Sequence, residues 1–227
     1  RWKRVTGVQT CALPIFRGGL PLGEVAARAS MLVVLGGDGT ILHTARQLGA
    51  GVKPLAAVNV GRLGFLTTAT TDETESFVRA IIGGNYQISR RRTVEASFTD
   101  ADGREFCETG LNEAVVSRGA ISRMIRLNVS IDSAFVNCYS GDGLIVATPT
   151  GSTAYSLSAG GPILNPEAGV FCITPICPHA VANRSVVVND DAVIELSASG
   201  ITEELLLSID GGSPWSLCRE KPVLLDR

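Results

Sequence analysis

The first part of the chain alternates apolar runs with helical patterns. A continuous apolar run at residues 31–35 predicts a strand that is buried on both faces, and the run at residues 55–60 predicts a second apolar strand. Between them, apolar residues recur at helical spacing over residues 41–48, and Gly49 is placed to end that helix. Thr71 and Asp72 can cap a further helix, which carries Phe77, Ala80 and Ile81 and ends at residues 83–84. Strands that alternate with helices predict a parallel α/β layer.

The pattern changes near residue 92. From residue 93 onward, short alternating runs are separated by turn sequences that are rich in Asp, Asn, Gly and Ser. Residues 126–131, 193–199 and 205–209 are such runs, and their alternation is typical of half-buried antiparallel strands. The sequence therefore predicts an α/β N-terminal domain, which ends near residue 92, and a β-rich domain over residues 93–227.

Residues 1–16 do not fit this organisation. They include no initiating Met and show neither a strand nor a helix period, and residues 5–15 resemble the conceptual translation of a DNA-library adapter. We therefore expect residues 1–16 to be non-native and exclude them from the fold. The natural N-terminal domain would then be truncated, and residues 17–92 would be its remaining part.

The composition narrows the classes of partner. With 45% hydrophobic residues, 19% charged residues and a formal net charge of -2 over 227 residues, the chain is typical of a globular protein. No Lys/Arg-rich tract favours nucleic acid, and no apolar run is long enough to span a bilayer. We expect a cytoplasmic protein. The 6 cysteines are scattered, which predicts reduced thiols, and Cys172, Cys177 and His179 are too few for a structural zinc site.

The loop "LGGDGTIL" at residues 35–42 is the first candidate for chemistry. A Gly-rich turn at a helix N-terminus suits a phosphate group, and glycine allows both positive φ and close approach of the ligand. The acid in this turn, Asp38, would repel a bare phosphate. It therefore acts through a metal ion or accepts a proton from an attacking alcohol. The alternative is that Asp38 only caps a helix that begins near Thr40.

Two further clusters could bind a second substrate. Asn112 and Glu113 are adjacent, so both can face one ligand only if a strand ends or bends there; otherwise they are a turn Asn and an exposed Glu. Residues 140–166 are rich in hydroxyls and glycines and include Tyr155, which could offer a flat face to a base. The alternative for this second cluster is a flexible Gly/Ser linker.

These motifs together resemble the bacterial NAD kinase family. The resemblance rests on "GGDGT" at residues 36–40, "NVGRLGFL" at residues 59–66, the Asn112-Glu113 pair and the long run at residues 142–163. It implies a kinase that phosphorylates the 2′-hydroxyl of the adenosine ribose of NAD, with ATP or polyphosphate as donor and Mg²⁺ as the divalent cation. It also implies a sandwich-like all-β C-terminal domain, a homodimer or homotetramer, and a C-terminal tail beyond residue 227.

The resemblance also implies the site residues. Asp38 matches the proton acceptor of the family, and the residues placed at the phosphates are Gly36, Gly37, Gly39 and Thr40. The set implied to contact NAD is Asp38, Gly39, His43, Asn112, Glu113, Arg123, Asp142, Thr153, Ala154, Tyr155, Ser156, Leu157 and Ser158. The part over residues 17–92 would bind the nucleotide phosphates and residues 93–227 would bind NAD. We expect no protein metal ligands, because ATP phosphates would hold Mg²⁺.

Two alternatives remain at this point. Diacylglycerol-type lipid kinases share the GGDGT loop, although the hydroxyl-rich run at residues 148–158 is a poor lining for an acyl chain. The other alternative is a fragment that binds NAD without turning it over.

Overall fold

A computed structural model describes residues 20–61, 64–119, 124–179, 183–198 and 204–227. The chain forms two compact units that divide between Tyr86 and Gln87, and we call them the N-terminal unit and the C-terminal unit. Residues 1–16 and Arg123, which the sequence analysis singled out, lie outside the described residues.

The N-terminal unit is a small parallel α/β layer. Its helices and strands are α1 (Leu22–Arg28), β1 (Leu32–Leu35), α2 (Asp38–Leu48), β2 (Leu55–Asn59), β3 (Ala69–Thr70) and α3 (Thr74–Ile82). The three strands lie in the order β1-β2-β3, and both pairings are parallel. The predicted α/β layer is confirmed.

Strand β1 is buried on one face only. Val34 packs with Ile41 of α2 and Ala57 of β2, whereas Val33 and Leu35 point to the opposite face and are 47% and 52% exposed. The prediction that this strand is buried on both faces is therefore wrong for β1. A continuous apolar run does not reveal which faces are covered, because that depends on the helices that pack against them.

The C-terminal unit consists of two antiparallel sheets. Its strands and one short helix are β4 (Val94–Thr99), β5 (Glu105–Gly110), β6 (Glu113–Arg118), β7 (Ile125–Ile131), β8 (Ala134–Gly141), β9 (Gly143–Ala147), α4 (Tyr155–Ser158), β10 (Val170–Ile176), β11 (Val186–Asn189), β12 (Ile194–Ala198), β13 (Leu205–Ile209), β14 (Trp215–Ser216) and β15 (Val223–Asp226). One six-stranded sheet has the order β11-β10-β9-β6-β13-β14, and the other has the order β5-β4-β15-β12-β7-β8.

The two sheets share one hydrophobic core, so the unit is a β-sandwich. Leu144 and Phe171 from the first sheet and Leu127, Ile194 and Leu225 from the second belong to the same buried cluster, and each is at most 2% exposed. Burial of this apolar surface is the main favourable term in the stability of the unit. The expected all-β, sandwich-like C-terminal part is confirmed.

The outer face of the first sheet is also covered near β9. A second buried cluster contains Val115, Ile145, Ala147 and Ile176, and Ala159 packs against it. Ala159 follows α4, so the segment after β9 folds back over the sheet that it has just left. This cover explains why every residue of β9 is buried.

Candidate functional site

Asp38 is the first residue of α2 and does not cap it. Gly37 occupies the N-cap position, and no side chain makes a cap hydrogen bond there. The Asp38 carboxylate instead accepts backbone N–H groups from a different loop, with Oδ2 at 2.8 Å from Phe65 N and Oδ1 at 3.1 Å from Leu66 N. The helix begins two residues before the expected Thr40, and the capping alternative is wrong.

This link between two loops was not among the contacts predicted from the sequence. Phe65 and Leu66 belong to the "NVGRLGFL" segment, which follows β2. Gly64 lies so close to Asp38 that an added Cβ would collide with the carboxylate. The only sequence signal for this contact is the glycine itself, because residues about 27 positions apart have no periodic relationship.

The glycines of the loop matter for the space that a missing side chain leaves, and not for an unusual backbone conformation. A Cβ on Gly36 would collide with the side chain of Thr40, whereas Cβ atoms on Gly37 and Gly39 would enter open space. None of these three glycines has a positive φ, so the loop does not use that freedom of glycine. The open positions Gly37 and Gly39 leave the backbone of the turn accessible to a ligand.

The start of α2 can bind an anion. The first N–H groups of any helix lack intrahelical partners, and the helix dipole favours negative charge at this end. Asp38 and Gly39 open this first turn, whereas the N–H of Thr40 already donates to the carbonyl of Gly37 at 3.0 Å. His43 lies one turn further along α2, half-buried, and its Nε2 atom is buried without a hydrogen-bond partner among the described residues.

Asn112 and Glu113 lie where a strand begins. Strand β6 starts at Glu113, and Asn112 occupies the bend before it. The two side chains are therefore not constrained to opposite faces of a strand. Both residues are buried, with 8% and 6% exposure, so the alternative of an exposed Glu is wrong.

The segment after β9 packs directly on this bend. Thr148 donates its N–H to the carbonyl of Asn112 at 2.8 Å and its hydroxyl to the carbonyl of Leu111 at 2.6 Å. Gly151 approaches so closely that an added Cβ would collide with the backbone of Asn112. The two clusters that the sequence analysis named separately are therefore one structure, the 111–113 bend and the segment that follows β9.

Asp210 is a site residue that the sequence analysis did not identify. Its carboxylate accepts hydrogen bonds from the N–H groups of Leu111 and Asn112, both at 2.7 Å, and from the N–H of Glu113 at 3.0 Å. The only sequence signal was its place in "SIDG" at residues 208–211. Its left-handed φ of 49° is unusual for a residue other than glycine.

The carboxyl group of Glu113 titrates far from its usual range. Burial, and secondly the negative charge of Asp210, raise the pKa of Glu113 from 4.5 to about 7. Its Oε2 atom is buried without a hydrogen-bond partner among the described residues. Near neutral pH this group can therefore donate or accept a hydrogen bond to a ligand.

The segment after β9 is ordered structure rather than a linker. It contains a 3-10 turn (Gly151–Thr153) and α4, and the Ser152 hydroxyl accepts the N–H of Leu164 at 3.0 Å. Thr148 and Thr150 are buried as well. The flexible-linker alternative is therefore wrong.

Within α4, the predicted ligand-facing residues separate into two groups. Tyr155, Leu157 and Ser158 are exposed, and Thr153 and Ala154 just before them are half-buried. Ser156 is fully buried, and its hydroxyl forms a hydrogen bond of 2.9 Å with that of Thr174 on β10. The structure thus gives Ser156 the contacts of an anchor for α4.

A pocket of about 270 Å³ brings Asp142 and Tyr155 together. Its lining residues are Ser117, Arg118, Gly119, Asp142, Tyr155 and Ile176. Arg118 Nε lies 2.7 Å from Asp142 Oδ1, so one wall carries a paired cation and anion. The sequence analysis missed Arg118. A larger open pocket of about 450 Å³ is lined by β4 and β5 residues and by Lys221, and it contains none of the predicted site residues.

The described residues contain no cluster of three or more His, Cys, Asp or Glu side chains that could hold a metal ion. Cys172, Cys177 and His179 therefore do not assemble into one. No helix in the described ranges has the length and apolar character that a membrane span requires.

Known proteins with similar sequences are NAD kinases. Residues 22–86 match the ATP-NAD kinase N-terminal domain, and residues 111–223 match the ATP-NAD kinase C-terminal domain. The chain is 43% identical over 198 residues to the NAD kinase of Solibacter usitatus, covering 86% of this chain and 69% of the relative. It is 44% identical over 199 residues to the NAD kinase of Caldanaerobacter subterraneus subsp. tengcongensis, covering 88% and 70%.

Solved structures agree with these relatives. Yeast NADH kinase, solved with NADH, superposes with a TM-score of 0.84 at 31% identity; the match covers 91% of this chain and 60% of that one. The Archaeoglobus fulgidus NAD kinase, solved with ATP, gives a TM-score of 0.76 at 28% identity, covering 90% and 76%. None of these proteins supports the lipid kinase alternative. The chain therefore belongs to the NAD kinase family.

Proposed function

We propose that the chain transfers the γ-phosphoryl group of ATP to the 2′-hydroxyl of the adenosine ribose of NAD, giving NADP. Membership of the NAD kinase family supports the reaction class. The observation that carries the chemistry is the position of Asp38, at the start of α2 and beside the open glycines of a phosphate-type loop.

Asp38 is the proposed proton acceptor. The ribose hydroxyl oxygen attacks the γ-phosphorus, the bond between that phosphorus and the β,γ-bridging oxygen breaks, and ADP leaves. Asp38 takes the hydroxyl proton late in this step, because phosphoryl transfer depends mainly on positioning and charge neutralisation. Gly36, Gly37, Gly39 and Thr40 are the proposed phosphate contacts.

The C-terminal unit supplies most of the proposed NAD contacts. We assign the ribose and adenine contacts to Asn112 and Glu113. The remaining proposed contacts are Gly39, His43, Arg123, Asp142, Thr153, Ala154, Tyr155, Leu157 and Ser158. The paired wall of the pocket supports this assignment, since Arg118 can donate and Asp142 can accept hydrogen bonds. Ser156 acts indirectly, as the anchor of α4.

The protein side chains proposed for this site could hold a divalent cation only if phosphate oxygens supplied most of its ligands. The Asp38 carboxylate already accepts two backbone N–H groups, which leaves few free oxygens for a metal shell. We therefore propose Mg²⁺ bound mainly by ATP phosphates, where it would neutralise charge on the transferring group. Cytoplasmic location, assembly as a homodimer or homotetramer, and use of polyphosphate as an alternative donor belong to the same proposal.

The test compares two phosphoryl acceptors with ATP as the donor. Purified protein receives ATP and Mg²⁺ with either NAD or diacylglycerol, and NADP is detected with an NADP-specific dehydrogenase. NADP formation supports the proposal, and phosphorylation of the lipid alone overturns it. Calorimetric titration with NAD is run in parallel. Binding of NAD without NADP formation would instead support the inert-fragment alternative.

A further inference from the structure

The 111–113 bend is held by one carboxylate. Asp210 Oδ1 accepts from both Asn112 N and Glu113 N, and Oδ2 accepts from Leu111 N. Three consecutive N–H groups thus converge on a single side chain, which is the donor geometry of an anion-binding nest. Here the anion belongs to the protein itself.

Asp210 and the 111–113 bend hydrogen-bond to each other in both directions, and no space is left beside the contact. Asp210 donates its own N–H to the carbonyl of Glu113 at 3.0 Å. On the other side, a Cβ on Gly110 would lie 2.7 Å from Ile209 Cγ2 and 3.0 Å from Asp210 Oδ1. The turn after β13 and the start of β6 are therefore locked together, and Asp210 keeps a left-handed backbone in that position.

The same carboxylate acts on the charge of Glu113. Strand β6 pairs with β9 and β13. Neither strand β9 nor the loop that follows it to Ser152 contains an ionisable side chain. Strand β13 contributes Asp210 in the turn after it. Among the described residues, Asp210 is the charged group that raises the pKa of Glu113, in addition to the effect of burial.

We infer that Asp210 is a positioning residue, which fixes the backbone that carries Asn112 and Glu113 for contact with NAD and places its negative charge against the buried Glu113 carboxyl group. The inference rests on the proposed function for the identity of the ligand. Its first part rests on the three N–H contacts, and its second part rests on one negative charge placed against a buried carboxyl group. No proton transfer to substrate is assigned to Asp210, because its carboxylate oxygens accept the three backbone N–H groups.

The test uses the full chain and two matched variants. Asp210→Asn keeps the shape but removes the charge and one of the two acceptor oxygens. Asp132→Asn is the control, because Asp132 also has a φ of 49° and accepts a backbone N–H, from Val193 at 2.9 Å, in the distant β7–β8 turn. The measurements are the Glu113 carboxyl titration by ¹³C NMR, the KM for NAD and kcat across pH 5.5–9, and thermal unfolding.

We expect Asp210→Asn to raise the KM for NAD by about tenfold, which is typical for loss of a buried charge-assisted hydrogen bond. The Glu113 titration should move to lower pH by at least about half a unit, because the repelling charge is gone. The Asp132 variant should leave both unchanged. A Glu113 titration that is the same in the Asp210 variant and the parent would overturn the inference, even if the variant is less stable.

A further variant and a binding measurement separate the possible failures. If Asp210→Asn does not fold, Asp210→Glu keeps the charge and misplaces the oxygens, so the Glu113 titration should stay near the parent value while NAD binding weakens. Retention of parent-like NAD binding in Asp210→Glu would overturn the positioning role. If the chain forms no NADP, the proposed function fails, but the NMR titration still decides this inference.

Discussion

Asp38 Oδ2 accepts a hydrogen bond from the backbone N–H of Phe65 at 2.8 Å, across 27 positions of sequence. Leu66 donates to the other oxygen at 3.1 Å. A carboxylate can accept about four hydrogen bonds, so two directions stay open for a substrate hydroxyl. Asp38 therefore connects the loop after β1 to the loop after β2, as well as serving as the proposed proton acceptor.

Asp38→Asn should damage both roles. An amide keeps one acceptor oxygen, and its NH₂ group would face a backbone N–H of Phe65 or Leu66. We expect kcat for NADP formation to fall on the order of 10²-fold or more. Thermal unfolding should show a destabilisation of about 1–3 kcal/mol.

Asp72→Asn is the matched control, because Asp72 is exposed at the start of the segment before α3. It should change neither quantity. Near-normal kcat in Asp38→Asn would rule out the role of proton acceptor, whereas unchanged stability would argue against a structural role for the two N–H contacts.

Gly64→Ala tests the contact from the opposite side. The added Cβ would collide with the Asp38 carboxylate, so the loop or the carboxylate must move. We expect kcat to fall at least about tenfold, because a small misplacement of a catalytic group is costly. Gly51→Ala is the control, since its Cβ would enter open space. Equal activity of the two variants would contradict the tight Gly64 to Asp38 contact.

Glu113→Gln should remove a pH dependence of stability. The pKa of Glu113 is about 7 in the folded protein and 4.5 as its ordinary value. Between these values the folded state binds more protons than the unfolded state, so stability falls as pH rises from 4.5 through 7. This group alone could lower the free energy of unfolding by up to about 3 kcal/mol across that window.

Urea unfolding at pH 5 and pH 8 measures this effect. At pH 8 the Glu113→Gln variant should be more stable than the parent, because a buried charge is gone. At pH 5 it should be equal or less stable, because a protonated carboxyl group is replaced by an amide that also needs partners. Glu105→Gln, on the exposed face of β5, is the control. Parallel pH profiles of parent and Glu113→Gln would contradict the prediction.

Ser156→Ala distinguishes an anchor from a ligand contact. Loss of the buried hydrogen bond to Thr174 should reduce stability by about 1–2 kcal/mol. The KM for NAD should change by less than about threefold, since the side chain is fully buried. Ser158→Ala, at an exposed position of the same helix, should show the opposite pattern. A large rise in KM for Ser156→Ala at unchanged stability would restore direct contact with NAD.

The elements with a clear period could be predicted from sequence. Helix α2 shows a 3.6-residue repeat, and strands β7, β12 and β13 alternate apolar and polar residues, because each buries one face. The change from alternating helices and strands to short alternating runs correctly predicts a change from α/β to β structure along the chain. The sequence also indicates that a strand must end or bend near Asn112 if Asn112 and Glu113 are to face one ligand.

The contacts that build the site could not be predicted in the same way. Asp38 with Phe65, Asp210 with Asn112, and Ser156 with Thr174 each join residues that are distant in sequence and carry no shared period. Their hydrogen bonds run to backbone or hydroxyl groups, which every chain contains in abundance. These hydrogen bonds therefore cannot be predicted from composition. Only the folded topology determines which groups are paired.

Close approach at glycine has a consequence for how the sequence can diverge. At several glycines an added Cβ would strike an atom of the site or of the strand beside it; these are Gly36, Gly64, Gly110, Gly141, Gly143, Gly151 and Gly161. A saturation mutagenesis map of the chain should consequently show deep intolerance at these positions, although none of them can donate a side chain to chemistry. Selection for the reaction would then act on these glycines through the space that they leave to their neighbours.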